Sequence, residues 1–252
     1  MTPRHMIRSA GFALASLLSA SAWGGYYPMY ASWPQAGGPG SPITLTYSYS
    51  NLFDGSIATA AGVPLSVDVL KGAFEQALAD YTAFLPIHFV EVVDAGPLPE
   101  TGEYDPTGLA NIRIGQVANV SGANAYAYFP MNPDISGLAG DVVFNAQRFG
   151  FGWTPAFFYG VAQHELGHSL GMGHYVSSDP SASANLALSA YTGPVYPLDD
   201  ETIAALQAVY GAGTGSVTPL TAVPEPATWA TLLAGLGFTG WFARRGRKGG
   251  VA

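Results

Sequence analysis

The sequence predicts an α+β fold, and three features of the chain support this class. Ile43 to Ser50 alternates apolar and hydroxyl residues, which is typical of a half-buried strand. After Ser66, a candidate N-cap, apolar residues recur at helical spacing: Val67, Leu70, Phe74, Leu78 and Tyr81. The stretch 23–213, between an N-terminal segment and a C-terminal linker described below, has about 190 residues, which suits one domain with a full core.

The remaining elements follow in order along the chain. Four further strands are predicted at Ile87–Val92, Asn111–Gln116, Ala123–Phe129 and Asp141–Asn145. Thr154 and Pro155 resemble an N-cap followed by proline at the first helical position, so a second helix should run to about Leu170. A last helix should start at Asp199 or Asp200 and end at Gly211; its buried residues should be Ile203, Leu206, Val209 and Tyr210.

The second helix carries a motif with the spacing of a catalytic zinc site. His164 and His168 are four residues apart, so both imidazoles project from one helix face and can share a metal ion. Glu165 is placed to accept a proton from water and is the candidate general base. Gly171 can adopt a left-handed conformation, which lets the chain turn back and bring His174 in as third ligand.

A chance match to this motif is the alternative, because a bare H-E-x-x-H occurs in unrelated sequences. The added Gly171 and His174 favour the zinc site, since three of the five histidines then lie in one short segment. Three protein ligands leave one coordination position open, which distinguishes a catalytic zinc from a structural one. The other two histidines are interpreted without a metal: His5 adds charge to a leader, and His88 lies in a strand.

The two ends of the chain read as targeting segments. Residues 1–22 combine basic residues, an apolar stretch and a small-residue cleavage site, which predicts a signal peptide removed by signal peptidase. An uncleaved anchor is disfavoured because that apolar stretch is too short to span a bilayer. Residues 223–252 begin with Val-Pro-Glu-Pro, continue with an apolar helix at about 227–243 and end in a basic tail. A flexible linker is predicted at 214–222.

The order at the C-terminus resembles the PEP-CTERM sorting signal of Gram-negative bacteria. The resemblance implies transient anchoring in the inner membrane, processing by an exosortase near the Pro-Glu-Pro, and release to the envelope or the extracellular matrix. A plain C-terminal membrane anchor is the alternative. The chain has no cysteine, so neither a disulfide framework nor a thiol-based latency device can operate.

The charge of the predicted mature domain disfavours polyanionic partners. Between residues 23 and 222 there are three basic and sixteen acidic residues, a net charge of −13, which disfavours binding to nucleic acid or anionic membrane surfaces. Carboxylates in the loop 100–105, together with Asp134 and Asp141, could hold calcium, but solvated surface is the favoured interpretation.

The extended histidine motif resembles that of the metzincin metallopeptidases, in their matrixin and serralysin branch. Residues 140–145 are similar to the segment before the active-site helix of that branch, and residues 198–211 to its closing helix. The resemblance implies a twisted, mostly parallel sheet with an active-site helix and a C-terminal helix, and a domain at 23–213. It also implies a cleft with zinc at its floor, whose rim strand, Ala123 to Phe129, pairs with an extended substrate.

The chain departs from the metzincins at the turn below the zinc. Metzincins have a methionine there, whereas the best alignment places Ser189 at that position. The same alignment puts Tyr191 where serralysins have a tyrosine that approaches zinc, so Tyr191 is a second candidate catalytic residue; a packed loop tyrosine is the alternative.

The combined interpretation is an exported zinc-dependent endopeptidase that binds one catalytic zinc, hydrolyses protein or peptide substrates and acts as a monomer. A non-catalytic envelope or biofilm-matrix protein with a structural zinc is the alternative, supported by the missing methionine and opposed by Glu165.

Overall fold

The computed structural model describes six stretches of the chain, which form a six-stranded sheet and three helices. The described residues are 25–93, 110–120, 122–131, 137–148, 151–176 and 197–220. In chain order the elements are β1 (Ile43–Tyr49), α1 (Val67–Thr82), β2 (Ile87–Glu91), β3 (Ile112–Val117), β4 (Ala125–Ala127), β5 (Val142–Asn145), α2 (Pro155–Ser169), α3 (Asp200–Tyr210) and β6 (Ser216–Thr218).

The sheet is mostly parallel, with strand order β4-β5-β3-β1-β2-β6. Every pair is parallel except β4 with β5, which is antiparallel and aligns Tyr126 with Val143. The β3 and β5 side chains are almost entirely buried, as expected for central parallel strands. The predicted α+β class with a mostly parallel sheet is therefore confirmed, and β4 forms one edge of the sheet.

Helix α1 begins where the sequence predicts. The Ser66 side chain accepts a hydrogen bond from the main-chain nitrogen of Val69 and so satisfies one of the free N–H groups of the first turn. The buried face of the helix matches the predicted apolar spacing except at its start, where Val67 is 47% exposed. Val67 is the first residue of the helix.

Aromatic side chains join α1 and α2 to the sheet. Phe144 of β5 stacks on Phe158 of α2, with ring centroids 4.5 Å apart, and meets Phe74 of α1 edge-on at 6.4 Å. The Tyr81 hydroxyl of α1 donates a buried hydrogen bond of 2.8 Å to the Gln163 carbonyl oxygen of α2. Helix α2, which carries the histidine motif, is thus held in place by contacts with both the sheet and α1.

Helix α3 is joined to the end of α2 by a hydrogen bond. Asp199 is its N-cap and accepts a 2.8 Å hydrogen bond from the Thr202 main-chain nitrogen. The Tyr210 hydroxyl donates a 2.8 Å hydrogen bond to the Leu170 carbonyl oxygen, which fixes the exit of α2. Of the apolar residues predicted to be buried, Leu206 and Tyr210 are buried, whereas Ile203 and Val209 are only half-buried.

The flexible linker predicted at 214–222 is wrong over part of its length, because Ser216–Thr218 form β6. This strand pairs in parallel with β2 and aligns Val217 with Phe89. In addition to the main-chain pairing, His88 Nδ1 lies 2.9 Å from Ser216 Oγ, and the Leu220 main-chain nitrogen donates a 2.7 Å hydrogen bond to Glu91. The polar, glycine-rich composition suggested a tether. The edge of β2, however, offers main-chain N–H and C=O groups, and the segment forms hydrogen bonds with them as a further strand.

A chain that ends at Gly213 should therefore be less stable than one that ends at Leu220. The shorter chain loses the β2–β6 ladder and the hydrogen bond from Gly215 to Thr82, which together should contribute about 2–4 kcal/mol. Urea unfolding of residues 23–213 and of residues 23–220 measures the difference. Equal midpoints would mean that β6 adds nothing to the fold.

Among the residues that the structure describes, no helix has both the length and the apolarity needed to cross a membrane. The predicted signal peptide at 1–22 and the predicted apolar helix at 227–243 lie outside the described residues.

Candidate metal centre and cleft

Helix α2 presents His164 and His168 side by side. Thr154 caps the helix by accepting a hydrogen bond from Phe157 N, and Pro155 occupies the first turn, as the sequence predicts. The Nε2 atoms of His164 and His168 lie 3.1 Å apart, and both residues are buried. One turn of the helix therefore brings two imidazole nitrogens close enough to share a metal ion.

The third histidine arrives by a sharp turn at the end of α2. Gly171 has a φ of 95°, and its main-chain nitrogen donates a 2.8 Å hydrogen bond to the His168 carbonyl oxygen. This left-handed conformation reverses the chain, as the sequence predicts. His174 then lies with its Nε2 atom 3.1 Å from the Nε2 atoms of both His164 and His168.

The segment that carries His174 pairs with residues near the start of the described chain, which the sequence did not predict. Tyr26 and Val176 exchange two main-chain hydrogen bonds of 2.9 Å, and the Gly173 nitrogen donates one of 2.7 Å to Pro28. Tyr30 N also bonds to the Gly171 oxygen at 2.8 Å. These bonds hold residues 171–176 extended on both sides of His174. Short irregular pairings of this kind leave no periodic signal in a sequence.

The tautomer of His168 is set by a carbonyl group. Its Nδ1 atom lies 2.6 Å from the Met172 carbonyl oxygen, which can only accept a hydrogen bond, so Nδ1 carries the proton. The Nε2 atom of the neutral ring then has a free lone pair. Burial lowers the pKa of His168 to about 4, and desolvation also lowers the pKa of His174, although this residue is more exposed to solvent than the other two histidines. Both imidazoles are therefore neutral near pH 7, as metal ligands must be.

The three nitrogens fit the donor set of a tetrahedral zinc ion. Two imidazole nitrogens bound to one tetrahedral zinc at about 2.05 Å are roughly 3.3 Å apart. The three measured separations of 3.1 Å are close to this value. No other group of three or more histidine, cysteine or acidic residues with this proximity occurs in the described part of the chain. The predicted ligands are thus brought together in a geometry suited to zinc.

Glu165 lies beside the histidines with an unpaired oxygen. The residue is 4% exposed, and its Oε2 atom is buried without a hydrogen-bond partner among the described residues. Burial raises the pKa of Glu165 to about 8, because the charged form loses its hydration. A buried carboxylate oxygen without a partner is costly unless a ligand or water completes the site.

The histidines and Glu165 lie on the wall of a cleft of about 510 Å³. Strand β4 forms another wall of it. Asn124 and Tyr128 direct main-chain groups towards β5, through hydrogen bonds to Asn145 and Asp141. Because these groups alternate along an antiparallel strand, the N–H and C=O groups of Ala125 and Ala127 point away from β5, to the edge where the described residues place no further strand. The predicted rim strand is therefore present, although its regular part is only Ala125–Ala127.

The structure tests only part of the other predicted site residues. Tyr191 and Ser189 lie outside the described residues, as do Asp134 and the acidic loop at 100–105. Asp141 is 1% exposed and forms an ion pair of 2.9 Å with Arg113. The interpretation of Asp141 as a calcium ligand or solvated carboxylate is therefore wrong, because a guanidinium group already supplies the compensating charge.

Comparisons with known proteins find similarity in two regions of the chain: the domain that carries the histidine motif, and the C-terminal segment. A model of the PEP-CTERM protein-sorting motif matches residues 222–248. Human matrix metalloproteinase-20 is 32% identical over 152 residues, which are 58% of this chain and 28% of that protein. Human matrilysin is 31% identical over 142 residues, 50% of this chain and 45% of the relative. Human neutrophil collagenase is 32% identical over 111 residues, 42% and 22% respectively.

All three relatives are metalloproteinases, and each matches only part of its own length to this chain. The chain spans less than half the length of each of the three curated relatives. Its predicted α+β architecture, with a mostly parallel sheet, is consistent with a matrixin-like zincin fold. The chain thus combines a domain that resembles the matrix metalloproteinases with a C-terminal protein-sorting motif.

Proposed function

We propose that this chain is an exported zinc-dependent endopeptidase. The observation that carries the proposal is the convergence of three histidine Nε2 atoms, each 3.1 Å from the other two, beside the buried Glu165 oxygen that has no hydrogen-bond partner among the described residues. A structural zinc site does not need a carboxylate of this kind, whereas hydrolysis does. The similarity to three metalloproteinases supports the same conclusion.

His164, His168 and His174 would hold the zinc ion. When bound, zinc polarises the scissile carbonyl group and lowers the pKa of water towards neutrality. The Met172 carbonyl oxygen keeps His168 in the tautomer that presents Nε2 as a ligand. The pairing of residues 26–30 with residues 171–176 keeps His174 within reach of the other two ligands.

Glu165 would act as the general base and then as the general acid. Its Oε2 atom accepts a proton from the attacking water and later donates that proton to the leaving amine nitrogen. The peptide bond is cleaved in this way without a covalent enzyme intermediate. Tyr191 remains a proposed second catalytic residue that would stabilise the oxyanion, by resemblance to the serralysins.

The free edge of β4 would bind the substrate main chain. Ala125 and Ala127 offer N–H and C=O groups towards the cleft, and an extended peptide can pair with them as an added strand. Such pairing positions the scissile bond through main-chain hydrogen bonds, which do not depend on the substrate side chains. We expect unstructured proteins and extended peptides to be cleaved, and folded proteins to resist cleavage.

The sorting motif sets the proposed route of the protein. Signal peptidase would remove residues 1–22, and exosortase would act near the Pro-Glu-Pro within residues 223–226 after transient anchoring in the inner membrane. The protein would then reach the cell envelope or the extracellular space. Fractionation of cells that express the full chain, followed by mass spectrometry of its C-terminus, tests this route.

A casein cleavage assay tests the proposed activity. The full chain is purified in detergent, loaded with zinc and incubated with casein, with and without a zinc chelator. We expect cleavage that the chelator abolishes and that added zinc restores. Stoichiometric zinc without cleavage of any unstructured substrate would instead favour a non-catalytic matrix protein.

A further inference from the structure

Tyr30 enters the cleft from a part of the chain that holds none of the catalytic motif. Its side chain is 65% exposed, yet the ring lies 5.0 Å from the ring of Phe129. Phe129 in turn meets the ring of His168 at 5.8 Å. Phe129 therefore lies between Tyr30 and a proposed metal ligand, and Tyr30 itself lines the cleft.

The position of the Tyr30 ring is fixed rather than free. Its main-chain nitrogen donates to the Gly171 carbonyl oxygen. A Cβ atom added at Gly173 would lie 2.4 Å from Tyr30 Cε2, so the ring packs directly against the main chain beside His174. An exposed aromatic ring that is held on two sides presents a rigid apolar surface, with little conformational entropy to lose on binding.

The surroundings of this ring determine what can bind there. Ala127 and Phe129 lie on the same face of the chain that continues from β4, because side chains alternate along a strand. Ala127, Phe129 and Val176 line the cleft together with Tyr30, so the wall of the cleft near this ring is largely apolar. Among the described residues that line the cleft, there is one carboxylate, Glu165, and no lysine or arginine.

We propose that Tyr30 is a specificity-determining residue, whose ring forms one wall of an apolar subsite for a leucine- or phenylalanine-sized side chain of the substrate. This inference rests on the endopeptidase function proposed above. A charged substrate side chain would lose its hydration there without gaining a basic partner. An alanine side chain would leave the surface of Tyr30 uncovered and gain less from burial.

A peptide series measures the preference. The full chain, loaded with zinc, is assayed with peptides in which each position around the scissile bond is in turn Leu, Phe, Ala or Asp. We expect kcat/KM at one position to be about tenfold higher for Leu or Phe than for Ala. Tyr30→Ala should reduce this ratio to about twofold through KM, and Tyr30→Phe should keep it.

Tyr26→Ala is the matched control. Tyr26 lies on the same segment and is 52% exposed, but it does not line the cleft, and its main-chain bonds to Val176 do not need the side chain. An unchanged ratio in Tyr30→Ala, or an equal fall in Tyr26→Ala, would overturn the inference. Loss of zinc from Tyr30→Ala would overturn it as well, since Tyr30 would then act on the metal site.

A binding measurement separates this inference from the proposed activity. Dissociation constants of the Leu and Ala peptides are measured on the zinc-loaded Glu165→Gln variant, with and without Tyr30→Ala. We expect tighter binding of the Leu peptide that depends on Tyr30. If the unmodified chain cleaves no peptide but this difference remains, the endopeptidase proposal fails and the subsite stands. Equal binding of both peptides would refute the subsite.

Discussion

Replacing Glu165 by glutamine is expected to lower kcat about 10³-fold while zinc stays bound. Glutamine fills nearly the same volume in the buried site but cannot accept and return a proton, so the general base is lost. His168 and His174 should keep their positions, because the hydrogen bonds that orient His168 and the segment of His174 do not involve the Glu165 side chain. Peptide turnover and zinc content, measured on the same preparation, test both parts.

Asp68→Asn is a suitable control for this variant. It makes the same change from carboxylate to amide at an exposed position in the first turn of α1, far along the chain from the cleft-lining residues. We expect turnover close to that of the unmodified chain. Substantial activity in Glu165→Gln would remove Glu165 as the base, and loss of zinc would assign it a role in holding the metal.

The elements with regular periodicity could be predicted from the sequence, and so could the metal motif. Ser66, Thr154 and Asp199 begin their helices as predicted, because each cap requires only a local hydrogen bond. His164 and His168 meet because helix geometry alone relates residues four apart. The conformation of Gly171 was likewise predictable, since the motif requires a reversal there and glycine permits it.

Features that depend on long-range contacts could not be predicted. β6 forms because β2 offers an unpaired edge, and nothing within residues 214–222 signals that edge. Asp141 resembles any acidic loop residue until the fold places Arg113 beside it. Tyr30 reaches the cleft only because residues 26–30 pair with residues 171–176. Each of these contacts joins segments that are distant in sequence, where local patterning carries no information.

The pairing of these two segments gives Gly171 a second role, besides turning the chain, and leads to the other large expected effect. A Cβ atom at Gly171 would lie 2.0 Å from the Ala31 carbonyl oxygen and 2.8 Å from its carbon. Alanine would therefore add a steric clash to the strain of a φ of 95°. We expect Gly171→Ala to lower the free energy of unfolding by about 2–4 kcal/mol.

The same substitution should weaken zinc binding by at least about tenfold, since His174 follows three residues later. Relieving the clash requires movement of either residues 26–31 or the turn, and both positions are coupled to His174 by the hydrogen bonds of Gly173 and Val176. Urea unfolding of the zinc-free protein and competition for zinc with a chelator measure the two effects separately. Their sizes need not agree, because only the second depends on the position of the imidazole.

Two glycine variants separate strain from clash. Gly38 has a φ of 92° and no atom within 4 Å of an added Cβ, so Gly38→Ala should cost only about 1 kcal/mol and leave zinc affinity unchanged. Gly72 lies exposed within α1, also in open space, and Gly72→Ala should stabilise the protein by about 0.5–1 kcal/mol. If Gly171→Ala cost no more than Gly38→Ala and kept full zinc affinity, the contact with Ala31 would have no part in placing the third histidine. A larger cost, together with weaker zinc binding, would mean that residues 26–31 act as a support for the metal centre.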